Sequence, residues 1–154
     1  MPTRTIRNEF TLAAVPEAVF EHVRQPQSYV GLSPLVTSVS DLVEIDDGFR
    51  YKANERVPII GTWSIDNPLV VTLLGEEHGG GTFTIRGEVD SPGGVSVWYR
   101  YDITPDADGC RIADEMTLRM PFGLVRFAMS RARAVQLARP GVLAQRLVRA
   151  DSGL

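Results

Sequence analysis

Cysteine is almost missing from this chain of 154 residues, and long apolar runs are missing altogether. The lone Cys110 excludes an internal disulfide framework and a cysteine-based metal site, and we expect it to be a small buried side chain. No stretch approaches the roughly 18 apolar residues of a membrane-spanning helix. The first residues lack the apolar segment of a signal peptide. We therefore expect one cytoplasmic domain covering residues 1–154, without an integral membrane segment.

Lysine and histidine are also scarce. Lys52 is the only lysine among 16 basic residues, and the rest are arginines, which favour planar contacts with carboxylate or phosphate. The two histidines, His22 and His78, have no carboxylates spaced to complete a metal site. We expect His22 on the solvent side of a short helix and His78 in a turn. The sequence therefore predicts neither a metal nor a cofactor.

Acidic residues almost disappear after residue 118, where Asp151 is the only one. The net charge of the whole chain is −3, so a basic segment ends an acidic protein. Such a segment can attract an anionic lipid, a carrier protein or nucleic acid. Arg126, Arg133 and Arg149 are explained more simply as the solvated face of an amphipathic helix. We therefore expect no nucleic-acid partner.

Alternating apolar and polar residues between turn signals predict a sheet. Residues 5–12 alternate as a half-buried strand does, and residues 15–23 form a short amphipathic helix that Pro16 begins. Further strands are predicted at residues 38–45, 49–57, 82–89, 95–104 and 110–120. The pattern indicates a meander of hairpins that follows one strand and one helix.

Two prolines make local predictions less simple. Residues 60–65 and 69–75 flank the pair Asn67-Pro68, so they are either one bent strand or two short ones. A long helix is predicted from about Pro121. Pro140 lies inside it and lacks a backbone donor, so we expect a kink or break at the preceding residue, Arg139.

Four segments carry a likeness to a known family: residues 14–20, 25–35, 104–118 and the pair Met120-Pro121 before the last helix. With the order of elements, they resemble the helix-grip fold of the START/Bet v 1-like (SRPBCC) superfamily, in its polyketide cyclase/dehydrase-type branch. Leu32 departs from the pattern, because many relatives have Trp there. The resemblance implies an α+β fold, with a curved antiparallel sheet of about six to seven strands around a long C-terminal helix, enclosing a cavity.

The resemblance also implies that this cavity binds a hydrophobic small molecule or lipid. In a polyketide cyclase/dehydrase of the aromatase type, polar groups in the cavity would assist cyclisation of a bound ketone chain. In a binding or transport protein, the same cavity would hold its ligand unchanged. The family motifs specify the fold rather than the chemistry, so both alternatives stay open.

Two carboxylates interrupt the apolar sides of strands and are the catalytic candidates. Glu55 shares a strand side with apolar residues, and a buried carboxylate without a partner is costly, so it is a candidate general base or acid. The alternatives are a solvated residue at the cavity rim, or a bulge that turns Arg56 inward. Asp114 is the polar member of the apolar side of residues 110–120. It is either a second catalytic group or a structural acceptor for a tyrosine hydroxyl.

The candidate ligand-binding residues share the apolar sides of predicted strands and of the last helix: Asn8, Tyr51, Phe83, Tyr99, Tyr101, Met116 and Met129. Tyr51 could donate to an oxyanion, although a tyrosine in a core most often packs with its hydroxyl satisfied. Trp98 lies on the outward side of its strand. An exposed aromatic residue there indicates a surface for a homodimer or another partner.

Overall fold

The computed structural model describes residues 1–148 of the chain. Within them the strands are β1 (Thr3–Leu12), β2 (Val36–Ile45), β3 (Gly48–Ile60), β4 (Trp63–Gly79), β5 (Thr82–Asp90), β6 (Ser96–Asp106) and β7 (Gly109–Arg119). The α-helices are α1 (Pro16–Val23), α2 (Tyr29–Leu32) and α3 (Val125–Leu143), and a π-helical turn at Ala144–Val148 extends α3. Arg149 and Asp151, which belong to the predicted basic segment, lie outside the described residues.

The strands form one antiparallel sheet in the order β1-β7-β6-β5-β4-β3-β2. Each strand after β2 pairs with its predecessor through a hairpin, and β1 closes the order by pairing with β7. Helix α3 packs against β1 and β7. This is the predicted α+β helix-grip fold, a seven-stranded sheet with a long C-terminal helix.

The alternation of apolar and polar residues that predicted the strands matches the alternation of buried and exposed side chains along them. On β6 the buried residues are Tyr99, Tyr101 and Ile103, and on β7 every second residue from Cys110 to Leu118 is buried. Successive side chains of a strand point to opposite faces, so one face of each strand belongs to the core. The core therefore lies between the sheet and the helices, and Cys110 is a free, buried thiol in it.

The pair Asn67-Pro68 does not interrupt the sheet. Strand β4 is continuous from Trp63 to Gly79, and β3 extends past Pro58 to Ile60, so the predicted end of that strand at Pro58 is wrong. Pro68 pairs with Asn54 on β3, but β5 begins to pair with β4 only at Val70. Because no β5 residue pairs with Pro68, its missing backbone N–H costs no hydrogen bond between β4 and β5. The result is a long β3–β4 hairpin that projects beyond β5 and β6.

Helix α3 also passes through its proline. Of the kink or break that Pro140 predicts at Arg139, the break does not occur, because α3 stays helical to Leu143. A proline at position 140 leaves the carbonyl of Gln136 without its helical partner. The side chains of Gln136 and Arg139 hold this part of the helix in place, because both bond to the sheet.

Those bonds fasten α3 to one side of the sheet. Gln136 Nε2 donates to the carbonyl oxygens of Ile6 on β1 and Asp114 on β7, each at 3.2 Å. Arg139 Nη1 donates to Asp114 Oδ2 at 2.6 Å. Helix α3 is therefore held over β1 and β7, at the far end of the sheet from β2, β3 and β4.

The C-terminal end of the helix is held by Arg146. Its guanidinium donates to the carbonyl oxygens of Ser28 at 2.7 Å and Val30 at 2.9 Å. Arg146 Nη1 also lies 3.1 Å from His22 Nε2 on α1. His22 is thus half-buried against this arginine, and the prediction that it faces solvent is wrong. Burial and the charge of Arg146 lower the pKa of His22.

Candidate functional site

A cavity of about 720 Å³ lies between α3 and the inner face of strands β2 to β7. Its lining is largely apolar and includes Val39, Ala53, Val57, Leu69, Val71, Val97, Met116, Leu118, Ala128, Ala132 and Val135. The cavity exists because α3 is fastened to β1 and β7, and because small residues such as Ala128 and Ala132 face the sheet from the helix. Side chains this short leave the space unfilled.

A small set of polar side chains interrupts this lining. Its members with hydroxyl, amide or charged groups are Tyr29, Ser33, Tyr51, Glu55, Asn67, Ser91, Tyr99, Arg131 and Arg139. Among residues 1–148, Glu55 is the only carboxylate that lines the cavity. Among the described residues, no group of three or more His, Cys, Asp or Glu side chains could hold a metal ion.

Glu55, and not Arg56, faces the cavity. Glu55 is half-buried in the lining, whereas Arg56 is exposed and lies 3.5 Å from Asp66 on the outer face of the hairpin. Directly opposite Glu55 on β4 is Asn67, whose amide donates to Ser91 Oγ at 3.1 Å. The alternative of a bulge that turns position 56 inward is thus excluded.

The environment of Glu55 disfavours its charge. Burial raises the pKa of the Glu55 carboxyl, and the hydrogen bonding of Asn67 and the charge of Arg131 oppose this rise only in part. Arg131 Nη2 donates to the Pro58 carbonyl oxygen at 3.3 Å, and its guanidinium lies 5.3 Å from the Phe127 ring centre. We name Glu55, Asn67, Ser91 and Arg131 the polar cluster. It can exchange a proton at Glu55 and donate hydrogen bonds from Arg131 and the amide.

Tyrosines cover another part of the cavity wall. The ring centres of Tyr29 and Tyr99 are 6.0 Å apart, and those of Tyr99 and Tyr101 are 5.4 Å apart. The hydroxyl of Tyr29 is used within the fold, because it donates to the Val23 carbonyl oxygen at 2.7 Å. Burial raises the pKa of both Tyr51 and Tyr99 far above the ordinary value. These phenols therefore stay protonated and can act as donors but not as bases.

Asp114 does not line the cavity. Its carboxylate is fully buried and bonded to Arg139 at 2.6 Å, and Arg139 lies between Asp114 and the cavity wall. The guanidinium of Arg139 is 5.0 Å from the ring centre of Tyr101 and 5.9 Å from that of Tyr99. Burial disfavours its charge, but Tyr101 and Asp114 outweigh burial and raise the pKa of Arg139. Asp114 is thus a partner in a buried ion pair.

Three atoms around this pair lack a hydrogen-bond partner among the described residues. They are Asp114 Oδ1, Arg139 Nε and the Tyr101 hydroxyl oxygen. Asp114 lies directly opposite Tyr101 on one side and Asn8 on the other. Asn8, Tyr101 and Asp114 are therefore neighbours on adjacent strands, but they lie beneath α3.

The structure divides the predicted ligand-binding residues. Tyr51, Tyr99 and Met116 line the cavity, whereas Asn8, Phe83, Tyr101 and Met129 do not. Phe83 stacks on Phe20 of α1 with ring centres 4.5 Å apart, so α1 separates it from the cavity. Tyr101 is covered by Arg139, and Asn8 and Met129 are half-buried beside the core. A residue on the inner face of the sheet therefore reaches the cavity only where no other side chain packs directly on it.

Arg131, Arg139, Asn67 and Ser91 belong to the site and were not predicted. A signal for the arginines is present in the sequence. Positions 128, 132, 135 and 139 continue one helical stripe, which places Arg139 on the same face as the buried alanines. For Asn67 and Ser91 we find no comparable signal, because turn composition alone explains both residues.

Comparisons with known proteins agree with this architecture. The profile of the family described as polyketide cyclase / dehydrase and lipid transport matches residues 3–148. The crystal structure of the ZhuI aromatase/cyclase from Streptomyces sp. R1128 is similar, with a TM-score of 0.73 and 17% identity over 99% of this chain and 100% of that one. No curated protein sequence gives a significant match.

Two further solved structures show the same fold. A START superfamily protein from Mycobacterium smegmatis has a TM-score of 0.69 and 12% identity over 96% of this chain and 98% of that one. A STAR-related lipid transfer protein from Xanthomonas axonopodis has a TM-score of 0.54 and 21% identity over 73% of this chain and 67% of that one. At these identities the likeness shows the fold alone.

The buried ion pair leads to a stability prediction. Arg139→Met leaves the Asp114 carboxylate buried without its partner, and we expect the free energy of unfolding to fall by about 3–5 kcal/mol. The double variant Asp114→Leu/Arg139→Met removes both charges, so it should lose much less. Urea denaturation measures both values. A double variant as unstable as Arg139→Met would contradict the view that an unpaired charge causes the loss.

The raised pKa of Glu55 leads to a pH prediction. Above the ordinary carboxyl value of 4.5, the native state holds the Glu55 proton more tightly than the unfolded chain does. Stability then falls as the pH rises, because the native state binds more protons. Glu55→Gln lacks the part of the pH dependence that comes from the Glu55 proton. The melting temperature of the wild type should therefore drop relative to that of the variant from about pH 4 upward, and the difference should become constant above the raised pKa of Glu55. If the melting temperatures of the wild type and Glu55→Gln differ by the same amount at every pH in that range, Glu55 is not desolvated.

Proposed function

Because the chain belongs to the polyketide cyclase / dehydrase and lipid transport family, we propose that it binds a hydrophobic small molecule or lipid in the cavity beside α3. The observation that carries this proposal is the apolar cavity of about 720 Å³. This volume lies within the roughly 300–1,000 Å³ of typical small-molecule sites. Removing apolar ligand surface from water supplies the binding energy, at about 25 cal/mol per Å².

The polar cluster indicates how the ligand is oriented. An apolar body would pack between the tyrosines and the aliphatic side chains of β3 and β4. An oxygen-bearing group would lie near Glu55, Asn67 and Arg131, because a carbonyl or hydroxyl there can accept from the amide and the guanidinium. A ligand without oxygen would leave these groups desolvated and unpaired, at a cost of about 1–3 kcal/mol for each. The preferred ligand is therefore apolar with a carbonyl or hydroxyl group.

A cyclase/dehydrase activity is the finer form of this proposal, and Glu55 would carry it. As a carboxylate, Glu55 would take a proton from the carbon between two ketones, and the resulting enolate would attack a third carbonyl of the same chain. The protonated Glu55 would then return its proton to the alkoxide, and loss of water would follow. The raised pKa brings the carboxyl nearer to neutral pH, where it can both accept and donate a proton. Tyr51 would donate to the developing oxyanion.

Non-catalytic carriage of a hydrophobic ligand is the second candidate. Its support is the scarcity of titratable groups in the cavity: within the described part of the chain Glu55 is the one carboxylate of the lining, and the buried phenols stay protonated. Asp114 is held by Arg139 and does not reach the cavity, so it does not serve as a second acid or base. A carrier needs only the apolar volume and an anchor for the polar end of the ligand.

Filling the cavity should abolish ligand binding. Ala53 is buried in the lining of β3, and Ala53→Phe projects a ring into the cavity. We expect affinity for a fluorescent fatty acid to fall at least about tenfold, which corresponds to about 1.4 kcal/mol. Val43→Phe is the matched control, since Val43 is 58% exposed on β2 and does not line the cavity. Equal affinity in all three proteins would place the ligand elsewhere.

The catalytic form is tested with a linear polyketone and product analysis by mass spectrometry. Glu55→Gln should still bind the polyketone, but the rate at which cyclised product forms should fall by roughly 10²–10⁴-fold, because the amide cannot accept and return the proton. Arg56→Gln, the outward neighbour, should match the wild type. If the wild type binds the polyketone but the product distribution is the same as in buffer without protein, the protein is a carrier.

A further inference from the structure

The open side of the cavity is bordered by unusually exposed apolar side chains. Ile60 is 78% exposed, Trp63 79% and Phe122 81%. Ile60 and Trp63 form the tip of the β3–β4 hairpin, and Phe122 lies between β7 and α3. Ile65 and Phe127 stand beside them, and both also line the cavity. Exposed apolar residues that gather at one place mark an interaction surface.

Three segments form this surface, residues 57–65 at the tip of the β3–β4 hairpin, 91–97 and 120–125, which we name the mouth loops. They gather around the same cavity, because each contributes lining residues: Val57 and Ile65, Ser91 and Val95, and Leu124. A Cβ atom at Gly94 would come within 3.5 Å of Pro121 Cγ. The Pro58 carbonyl oxygen accepts a hydrogen bond from Arg131 of α3. The mouth loops are therefore one continuous patch around the cavity opening.

Charge is distributed unevenly with respect to this patch. The mouth loops contain no charged side chain at all. Directly beyond their ends stand three arginines, Arg56, Arg119 and Arg126, and two aspartates, Asp66 and Asp90, while Arg131 and Glu55 lie inside the cavity lining. Asp66 is already paired with Arg56. An uncharged apolar patch is thus bordered mainly by arginine.

The turns at the other ends of the strands are acidic. They carry or adjoin Asp46, Asp47, Glu76, Glu77, Asp106 and Asp108, of which Glu76 is paired with Arg86 and Asp106 with Arg111. Helix α1 adds Glu17 and Glu21, and Gly81 lies close to both Pro105 and Glu17, which shows that these turns gather at one end. The protein is therefore polarised, with an apolar, arginine-bordered end at the cavity opening and an acidic end opposite.

We propose that the mouth loops dock on a lipid bilayer that contains anionic headgroups. Trp63, Ile60 and Phe122 would enter the boundary between headgroups and acyl chains, where apolar side chains beside arginine are stabilised. The bordering arginines would contact lipid phosphates, and the acidic end would point away from the negative surface. The cavity opening would face the membrane, so an apolar ligand would pass between bilayer and cavity without crossing water.

A bilayer fits the patch better than a second copy of the chain does. In a symmetric dimer the same patch meets itself, which would bring the two sets of arginines together. Like charges at an interface cost binding free energy. A bilayer supplies negative charge at the rim and an apolar phase at the centre, which matches the arrangement of both kinds of side chain.

The test is co-sedimentation with vesicles of phosphatidylcholine alone, or of phosphatidylcholine with phosphatidylglycerol. The wild type should bind the anionic vesicles more tightly, and added salt should weaken this binding. Trp63→Ser/Phe122→Ser should lower the partition coefficient at least about tenfold, because two anchors are lost. Val43→Ser/Leu137→Ser removes two side chains of 58% and 62% exposure outside the mouth loops and should match the wild type.

Fluorescence gives a second readout. In a Trp98→Phe background Trp63 is the only tryptophan, since the chain has two. Its emission should shift to shorter wavelength when anionic vesicles are added, and circular dichroism checks that each variant is folded. If the wild type sediments with anionic vesicles no more than Trp63→Ser/Phe122→Ser does, the proposal is overturned. The proposal would also be overturned if the wild type were a dimer that binds no vesicles and the double variant were a monomer. Failure here leaves the cavity unaffected, because fatty-acid affinity is measured separately in solution.

Discussion

The attachment of α3 to β1 and β7 is the constraint on which the rest of the structure depends. Gln136 bonds two backbone carbonyl oxygens of these strands, and Arg139 pairs with Asp114 beneath the helix. A buried guanidinium bonded to a buried carboxylate has few alternative positions, because any other position would leave a charge unpaired at a cost of several kcal/mol. The helix is therefore held at one end of the sheet, and the space at the other end stays open.

The same attachment divides the polar residues into structural and accessible ones. Asp114 is used to hold the helix, together with Arg139, and Tyr101 is covered by that pair. Glu55 lies on β3, away from the ion pair that fastens the helix, so it faces the cavity between α3 and the sheet, and its pKa is raised. Two carboxylates that look alike in the sequence thus have different roles because only one of them is paired with a residue of α3.

The sequence was a good guide to everything that depends on strand periodicity. It predicted the buried sides of β6 and β7 and the burial of Asp114, since side chains alternate along a strand, and it gave the inward direction of Glu55 as one of its alternatives. It left open whether Pro68 divides a strand, and it allowed a break at Pro140 that does not occur, because tertiary partners decide at both places. Pro68 is tolerated because β5 does not reach it, and Pro140 is tolerated because Gln136 and Arg139 are bonded to the sheet.

The order of elements, the fold and the two unusual carboxylates could thus be read from local patterns. Which of these carboxylates meets the cavity could not be, because that depends on where a helix far along the chain crosses the sheet. Asp114 and Arg139 are separated by 25 positions, and no periodicity links them. The mouth loops have the same origin, since residues 57–65 and 120–125 become one surface only when α3 is in place. Local patterns decide which face of a strand is buried, whereas long-range packing decides what that face meets.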